Sequence, residues 1–129
     1  MVSSVQVILY VASQPASRDF YSQVLQRSPA LDVPGMTEFE LPGARLGLMP
    51  ENGIARILCP ALPHPDQGQG VPRCELYLQV DDPEAWLQRS LQAGARPVSP
   101  VQERDWGDLA GYVADPDGHV LAFARKLTG

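Results

Sequence analysis

The chain has 129 residues, of which 44% are hydrophobic, and it carries a formal net charge of −5. This length is sufficient for one domain with a buried core. The negative charge argues against a nucleic-acid-binding protein, because no basic patch is available to neutralise phosphates, and the apolar runs are too short to span a bilayer. The two cysteines make no metal-binding spacing, and the N-terminal MVSSVQVILY lacks the basic region of a signal peptide. We therefore expect a cytoplasmic protein with free thiols.

The first half of the chain predicts a strand, a helix and a hairpin. Residues 5–11, rich in β-branched and aromatic side chains, predict the strand. Pro15 begins a helix that we expect to run to about Gln26. Two β-prone runs, residues 37–41 and 44–49, flank a Pro-Gly pair and predict the hairpin.

Residues 50–72 join the two halves of the chain. Apolar spacing within residues 51–58 predicts a short amphipathic helix. The rest of this linker is rich in proline and glycine and predicts a loop.

The second half repeats the order of the first. Its predicted elements are a strand at residues 75–80, a helix from Asp82-Pro83 to Gly94, a short strand at 96–98 and a hairpin of residues 109–114 and 119–125. Pro116 presets φ for the hairpin turn, and Gly118 accepts a positive φ without steric cost. Each half therefore predicts the order β-α-β-β-β.

Several short motifs occur in a fixed order along nearly the whole chain. They are Leu9-Tyr10-Val11, Phe20-Tyr21 with Leu25, Val80-Asp81-Asp82, Ala93-Gly94-Ala95, Trp106-Gly107 and the DPDGH run at residues 115–119. This set resembles the glyoxalase/bleomycin-resistance/dioxygenase family, the vicinal oxygen chelate superfamily. The family usually has Leu-Gly where this chain has Leu25-Gln26, so we expect the first helix to end differently.

The resemblance implies an α+β fold made of two tandem βαβββ modules that form a curved mixed-sheet cup. On this basis we expect one domain over residues 1–129, with module one at residues 1–49, the linker at 50–72 and module two at 73–129. Short members of the family pair their modules across a two-fold axis, so the resemblance also implies a homodimer.

Family enzymes hold a divalent ion with four protein positions, two in each half. By resemblance these fall on Gln6, Gly47, Glu75 and Ala122. Gly47 and Ala122 have no ligating atoms, and two oxygen donors hold neither zinc nor a hard cation well. We therefore predict no metal and no other cofactor, with open space above Gly47 and Ala122. His64 in the linker loop is interpreted as a solvated side chain.

Strand alternation sorts the remaining side chains between the two faces of each sheet. Val7, Leu9 and Val11 are expected to pack beneath a helix, and their neighbours to face the cup. The predicted ligand-binding residues are Gln6, Tyr10, Glu40, Met49, Glu75, Tyr77, Trp106, Asp108 and Tyr112. Aromatic walls with an excess of carboxylates favour a small polar or cationic molecule.

Two functions remain open at this point. The first is metal-free binding of such a molecule, of the sequestration or resistance type known for the bleomycin-binding members. The second is a glyoxalase-type lyase or isomerase, or a related enzyme, that uses Glu75 as a partial metal ligand or as a base activated by burial. The missing ligands at Gly47 and Ala122 favour binding.

Overall fold

A computed structural model describes residues 1–127, and the chain divides into two compact units, Met1–Gln69 and Gly70–Gly129. Each unit contains one four-stranded mixed sheet. Within the described residues, no helix combines the length and the apolar character needed to cross a membrane. The predicted α+β class and the tandem β-α-β-β-β order are confirmed.

The first unit holds seven elements. In chain order they are β1 (Gln6–Val11), α1 (Gln14–Leu25), β2 (Leu31–Val33), β3 (Met36–Leu41), β4 (Ala44–Pro50), α2 (Glu51–Leu58) and a short 3₁₀ helix (Pro65–Gly68). The amphipathic helix predicted in the linker is present with the expected bounds. Strand β2 lacked a local sequence signal, since it is only three residues long and all three residues lie on the surface.

The second unit repeats the first four strands and their helix. Its elements are β5 (Glu75–Gln79), α3 (Pro83–Gln92), β6 (Arg96–Glu103), β7 (Asp108–Ala114) and β8 (Val120–Lys126). Strand β6 is longer than the predicted residues 96–98, because its pairing with β7 resumes after two register shifts. These irregularities, together with its prolines, hid the strand from a pattern-based prediction.

Both sheets are built on the same connections. The first strand of each unit pairs in parallel with the last, β1 with β4 and β5 with β8, and the remaining pairs are antiparallel. The strand orders are β1-β4-β3-β2 and β5-β8-β7-β6. A parallel pair needs a crossover connection, and the helix after each first strand provides it here.

Each crossover helix begins at a side-chain cap. Ser13 Oγ accepts a hydrogen bond from Ala16 N at 3.2 Å, and Asp82 Oδ1 accepts one from Ala85 N at 3.2 Å. Helix α1 ends on Gln26, which itself takes the left-handed conformation with φ 55°. The expectation of a different helix end is therefore wrong, because Gln26 adopts the left-handed backbone that glycine usually takes at the end of a helix.

The hairpin turn at residues 115–118 is fixed by the first aspartate. Asp115 Oδ1 accepts hydrogen bonds from the backbone N–H groups of Asp117 at 2.9 Å and His119 at 2.8 Å. Asp115 is 2% exposed, so these donors satisfy a buried carboxylate. Gly118 has φ 89°, as the turn prediction requires.

The helices cover one face of each sheet. In the first unit the buried strand residues are Leu9, Val11, Phe39, Leu46 and Leu48, and those of α1 include Phe20, Tyr21 and Val24. Val7 was expected to pack beneath a helix, and this is wrong, because 42% of it is exposed near the start of β1. In the second unit Trp86 of α3 lies over Phe123, with ring centroids 6.0 Å apart.

Gly111 shows how closely α3 approaches its sheet. A Cβ atom at this position would lie 2.7 Å from Leu87 Cδ1 and from Val101 Cγ2, and 3.2 Å from the Val101 backbone nitrogen. Overpacking of this kind distorts a core. We predict that Gly111→Ala lowers the free energy of unfolding by about 1–3 kcal/mol, measured by urea denaturation.

Gly53 provides the matched control for that substitution. It lies inside α2, and a Cβ atom there would meet nothing within 4 Å. Gly53→Ala should leave the stability unchanged or raise it by up to about 1 kcal/mol. Equal stability of Gly111→Ala and the wild type would contradict the described packing of α3.

Candidate functional site

The first sheet carries a polar network on the face that alternates with its core. We call this the glutamate face and define it by Gln6, Ile8, Tyr10, Glu38, Glu40, Arg45, Gly47 and Met49. Gln6 Nε2 donates to Glu38 Oε2 at 2.9 Å. Arg45 Nε donates to Glu40 Oε1 at 2.7 Å, and Arg45 Nη1 lies 3.8 Å from Glu38 Oε1. Both carboxylates of this face are therefore engaged.

The space expected above Gly47 is filled. A Cβ atom there would lie 2.7 Å from Gln6 Nε2, 3.1 Å from Ile8 Cγ1 and 3.2 Å from Met36 Sδ. The prediction of open room at this position is wrong, because neighbouring side chains fold over the glycine. Tyr10 lies opposite Met49 in the strand register.

The second sheet carries a cluster of aromatic and polar side chains. We call its face the tyrosine face and define it by Glu75, Tyr77, Gln79, Asp108, Ala110, Tyr112, Ala122 and Ala124. Trp106, in the turn before β7, donates from Nε1 to the Tyr77 hydroxyl at 2.9 Å. The Tyr77 hydroxyl donates to Asp108 Oδ2 at 2.5 Å, and Gln79 Nε2 donates to the same oxygen at 3.2 Å.

Ionisation fixes the direction of these hydrogen bonds. The hydrogen bond from Tyr77 holds the pKa of Asp108 below its ordinary value of 3.8; burial opposes this effect, while Gln79 and the charge of Lys126 support it. Burial and the hydrogen bond to Asp108 raise the pKa of Tyr77 above 10.0, whereas the hydrogen bond from Trp106 lowers it. At neutral pH the cluster is an indole donor, a phenol donor and a carboxylate acceptor in series.

Tyr112 is held by an arginine that the sequence analysis did not identify. Arg104 Cζ lies 5.1 Å from the centroid of the Tyr112 ring, a cation–π distance. The guanidinium is fixed by hydrogen bonds to Ser99 Oγ at 2.9 Å and to the carbonyl oxygen of Ala110. Burial, followed by the negative charge of Glu75, raises the pKa of Tyr112 above 10.0. One face of this ring is thus occupied by the protein's own cation.

The open space predicted above Ala122 is also absent. Ala122 is 0% exposed and lies in register between Tyr77 and Tyr112. Glu75, by contrast, is exposed at the start of β5. A base activated by burial was one of the two enzymatic roles considered for Glu75, and the exposed position does not provide that burial.

The four positions implied for a metal ion do not fit one. Gly47 and Ala122 supply no donor atom, and the Gln6 amide is already hydrogen-bonded to Glu38. Within residues 1–127, no group of three His, Cys, Asp or Glu side chains is arranged to hold a metal ion. His64 is partly buried, contrary to expectation, with Nε2 2.9 Å from Asn52 Oδ1 and Nδ1 accepting from Asp66 N.

The structure places the predicted site residues in two sets, one described within each unit. Tyr77, Trp106 and Asp108 form one hydrogen-bonded cluster, and Glu40 joins the network of the glutamate face. Gln79 was not among the predicted ligand-binding residues, although its alternation with Tyr77 is a usable signal. Arg104 had no such signal, because its position follows from the turn between β6 and β7.

Comparison with protein families gives one match over most of the chain. A family model described as the Glyoxalase/Bleomycin resistance protein/Dioxygenase superfamily matches residues 3–123. The chain is also 40% identical, over 52 residues, to the uncharacterized protein Mb0911c of Mycobacterium bovis. That stretch is 40% of this chain and 34% of the relative, so the match spans about a third of the relative's length.

Solved structures resemble this chain at the level of the fold. A glyoxalase-related enzyme from Fulvimarina pelagi superposes with a TM-score of 0.83 and 22% identity, covering 98% of this chain and 89% of that one. A glyoxalase/bleomycin resistance protein/dioxygenase family enzyme from Burkholderia phytofirmans gives a TM-score of 0.81 at 16% identity, with 95% and 97% covered.

The pKa of Asp108 leads to a prediction about acid stability. A carboxyl group whose pKa is lowered by folding stabilises the protein above its unfolded pKa, and this contribution is lost as the pH falls through the folded value. We predict that Asp108→Asn flattens the loss of unfolding free energy that the wild type shows below about pH 5, measured by urea denaturation at several pH values.

Asp105 gives the matched control, because it is an exposed aspartate in the same turn. Asp105→Asn should retain the acid dependence of the wild type. Identical acid dependence in Asp108→Asn and the wild type would show that the Tyr77–Asp108 hydrogen bond does not favour the ionised carboxylate.

Proposed function

The chain belongs to the Glyoxalase/Bleomycin resistance protein/Dioxygenase superfamily, and from that premise we propose that it binds a small polar or cationic molecule without a metal ion, in a sequestration or resistance role. The observation that carries this proposal is the cluster of Trp106, Tyr77 and Asp108. The indole is 58% exposed, while the carboxylate beside it is 4% exposed and ionised at neutral pH. An exposed aromatic ring next to a held negative charge is suited to attract a cation.

The distribution of charged side chains also favours a ligand site on the tyrosine face. Arg45 forms ion pairs with both carboxylates of the glutamate face and offsets one of their two negative charges, whereas Asp108 forms no ion pair among the described residues. The positive charge of Lys126, the cross-strand neighbour of Asp108, acts on this carboxylate from beyond ion-pair distance. We therefore assign the ligand to the tyrosine face, with Tyr112 and Glu75 at its margin.

The donor set supports the metal-free part of the proposal. Two of the four family positions, Gly47 and Ala122, lack ligating atoms, and the space beside each is taken up within the protein. A lyase or isomerase that uses Glu75 remains the alternative function. No contact of Glu75 favours it, since this side chain is exposed at the start of β5.

We also propose that the protein acts in the cytoplasm as a homodimer. Cyclic dimers are the commonest soluble oligomers. Apolar side chains on the first sheet support a partner subunit. Ile8, Leu31 and Val33 are each more than a third exposed, and the strand register places all three on the same face of the sheet.

A thermal-shift screen tests the binding proposal. The panel contains small amines, neutral polar compounds and carboxylates. We expect members of the amine or neutral polar groups to raise the melting temperature of the wild type but not of Trp106→Ala. This substitution removes an exposed ring and should cost little stability. Compounds that stabilise Trp106→Ala as much as the wild type would contradict a site on the tyrosine face.

The same assay tests the absence of a metal requirement. Zinc, nickel and manganese should each shift the wild-type melting temperature by less than about 1 °C. Binding at a concentration 100 times the dissociation constant would add about 2.7 kcal/mol, which amounts to several degrees in a protein of this size. A one-to-one metal content that is lost in Glu75→Gln would overturn the binding function and favour the lyase.

Light scattering at micromolar concentration tests the dimer. We expect a species of about twice the chain mass of 14.0 kDa. The variant Val33→Lys places a charge among the exposed apolar side chains of the first sheet and should shift the protein toward the monomer. A single 14.0 kDa species in the wild type would reject the homodimer.

A further inference from the structure

The two carboxylate oxygens of Asp108 differ in the hydrogen bonds that they accept. Oδ2 accepts hydrogen bonds from Tyr77 at 2.5 Å and from Gln79 at 3.2 Å. Oδ1 accepts none from the residues between 1 and 127, although Asp108 is only 4% exposed. Oδ1 is not fully enclosed by protein atoms, so it remains accessible to a ligand.

The donors of the Trp106 indole and the Tyr77 hydroxyl are already used within the protein. The single N–H of the Trp106 indole points to the Tyr77 hydroxyl, and that hydroxyl gives its only hydrogen to Asp108. Neither group has a donor left for a ligand, so both present aromatic ring surface. Among Trp106, Tyr77 and Asp108, a ligand therefore meets the carboxylate oxygen Oδ1 of Asp108 as an acceptor that the protein leaves without a hydrogen bond.

The negative charge of Asp108 favours a cationic ligand that can donate a hydrogen bond. The hydrogen bonds from Tyr77 and Gln79 hold the carboxylate in its ionised form, and hydrogen bonds to an ionised acceptor are stronger than those between neutral groups. The nearby positive charge of Lys126 does not satisfy Asp108, because the two side chains form no ion pair.

We propose that Asp108 Oδ1 is the specificity-determining acceptor of the ligand site, and that it selects cations bearing N–H groups, such as primary ammonium, over quaternary ammonium. This inference rests on the proposed binding function. A quaternary ammonium can lie on the Trp106 ring but offers no hydrogen to the carboxylate. A primary ammonium satisfies both the ring and Oδ1. Tyr77 is a positioning residue that holds the carboxylate through Oδ2.

Three probes that share one phenethyl skeleton test the selection. They are 2-phenylethylamine, its N,N,N-trimethylammonium derivative and 2-phenylethanol. Binding is followed by the ¹⁵N-indole NMR signal of Trp106, which also reports whether each variant is folded, and by calorimetry. We expect the primary amine to bind the wild type about tenfold or more tightly than either of the other probes.

Two aspartate variants separate the acceptor from general charge. Asp108→Asn keeps the shape of the side chain and should reduce the preference for the primary amine over the trimethylammonium probe to within about threefold. Asp105→Asn removes an equal charge from the same turn and should retain the preference. Lys126→Gln should strengthen amine binding, because a like charge is removed near the site.

The outcomes distinguish this inference from the proposed function. Equal binding of the amine and its trimethyl derivative overturns selection by Oδ1 but leaves a cation site in place. Equal binding of 2-phenylethanol and the amine overturns the requirement for charge. Failure of all three probes overturns the role of Asp108 as the acceptor, while the function itself is judged by the thermal-shift screen with Trp106→Ala.

Discussion

The parallel pairing of the first and last strands of each unit is the constraint on which the rest of the structure depends. Strands β5 and β8 can pair in parallel only because α3 and two antiparallel strands carry the chain between them. The pairing sets the register, and the register sets the faces. It places Ala122 between Tyr77 and Tyr112, and it brings Asp108 to the same face as Gln79. The chemistry of the site therefore follows from strand pairing.

The two sheets use their carboxylates in opposite ways. On the glutamate face, Arg45 lies beside Glu38 and Glu40 and Gln6 donates to Glu38, so both carboxylates have partners in the protein and one of the two negative charges is offset. On the tyrosine face, neutral donors bind a single oxygen of Asp108 and leave its charge in place. Neutral donors stabilise an anion without cancelling it, so this carboxylate can still attract a cation. This difference is the physical basis for proposing a ligand site in the second unit.

Small residues in these sheets accommodate neighbouring side chains. Gly47 accommodates the Gln6 amide, and Gly111 accommodates Leu87 and Val101. Close packing of a protein interior leaves few voids, so a missing side chain is normally compensated by its neighbours. The expectation of open space above Gly47 and Ala122 treated each position alone and omitted this compensation. The absence of ligating atoms at these positions is unaffected, because it depends only on residue identity.

The sequence by itself determined the repeated β-α-β-β-β order, the turn at Asp115–Gly118 and the residues of the Trp106 cluster as candidates. These features arise from local causes: strand alternation, helix caps and turn residues act over a few positions and are visible in order along the chain. Only the tertiary structure decided that Trp106 and Tyr77 use their donors on each other and on Asp108, and that Arg104 lies against Tyr112. Hydrogen bonds and ring contacts between residues as far apart as Tyr77 and Trp106 depend on register and on distances of a few tenths of an ångström, which no local pattern encodes.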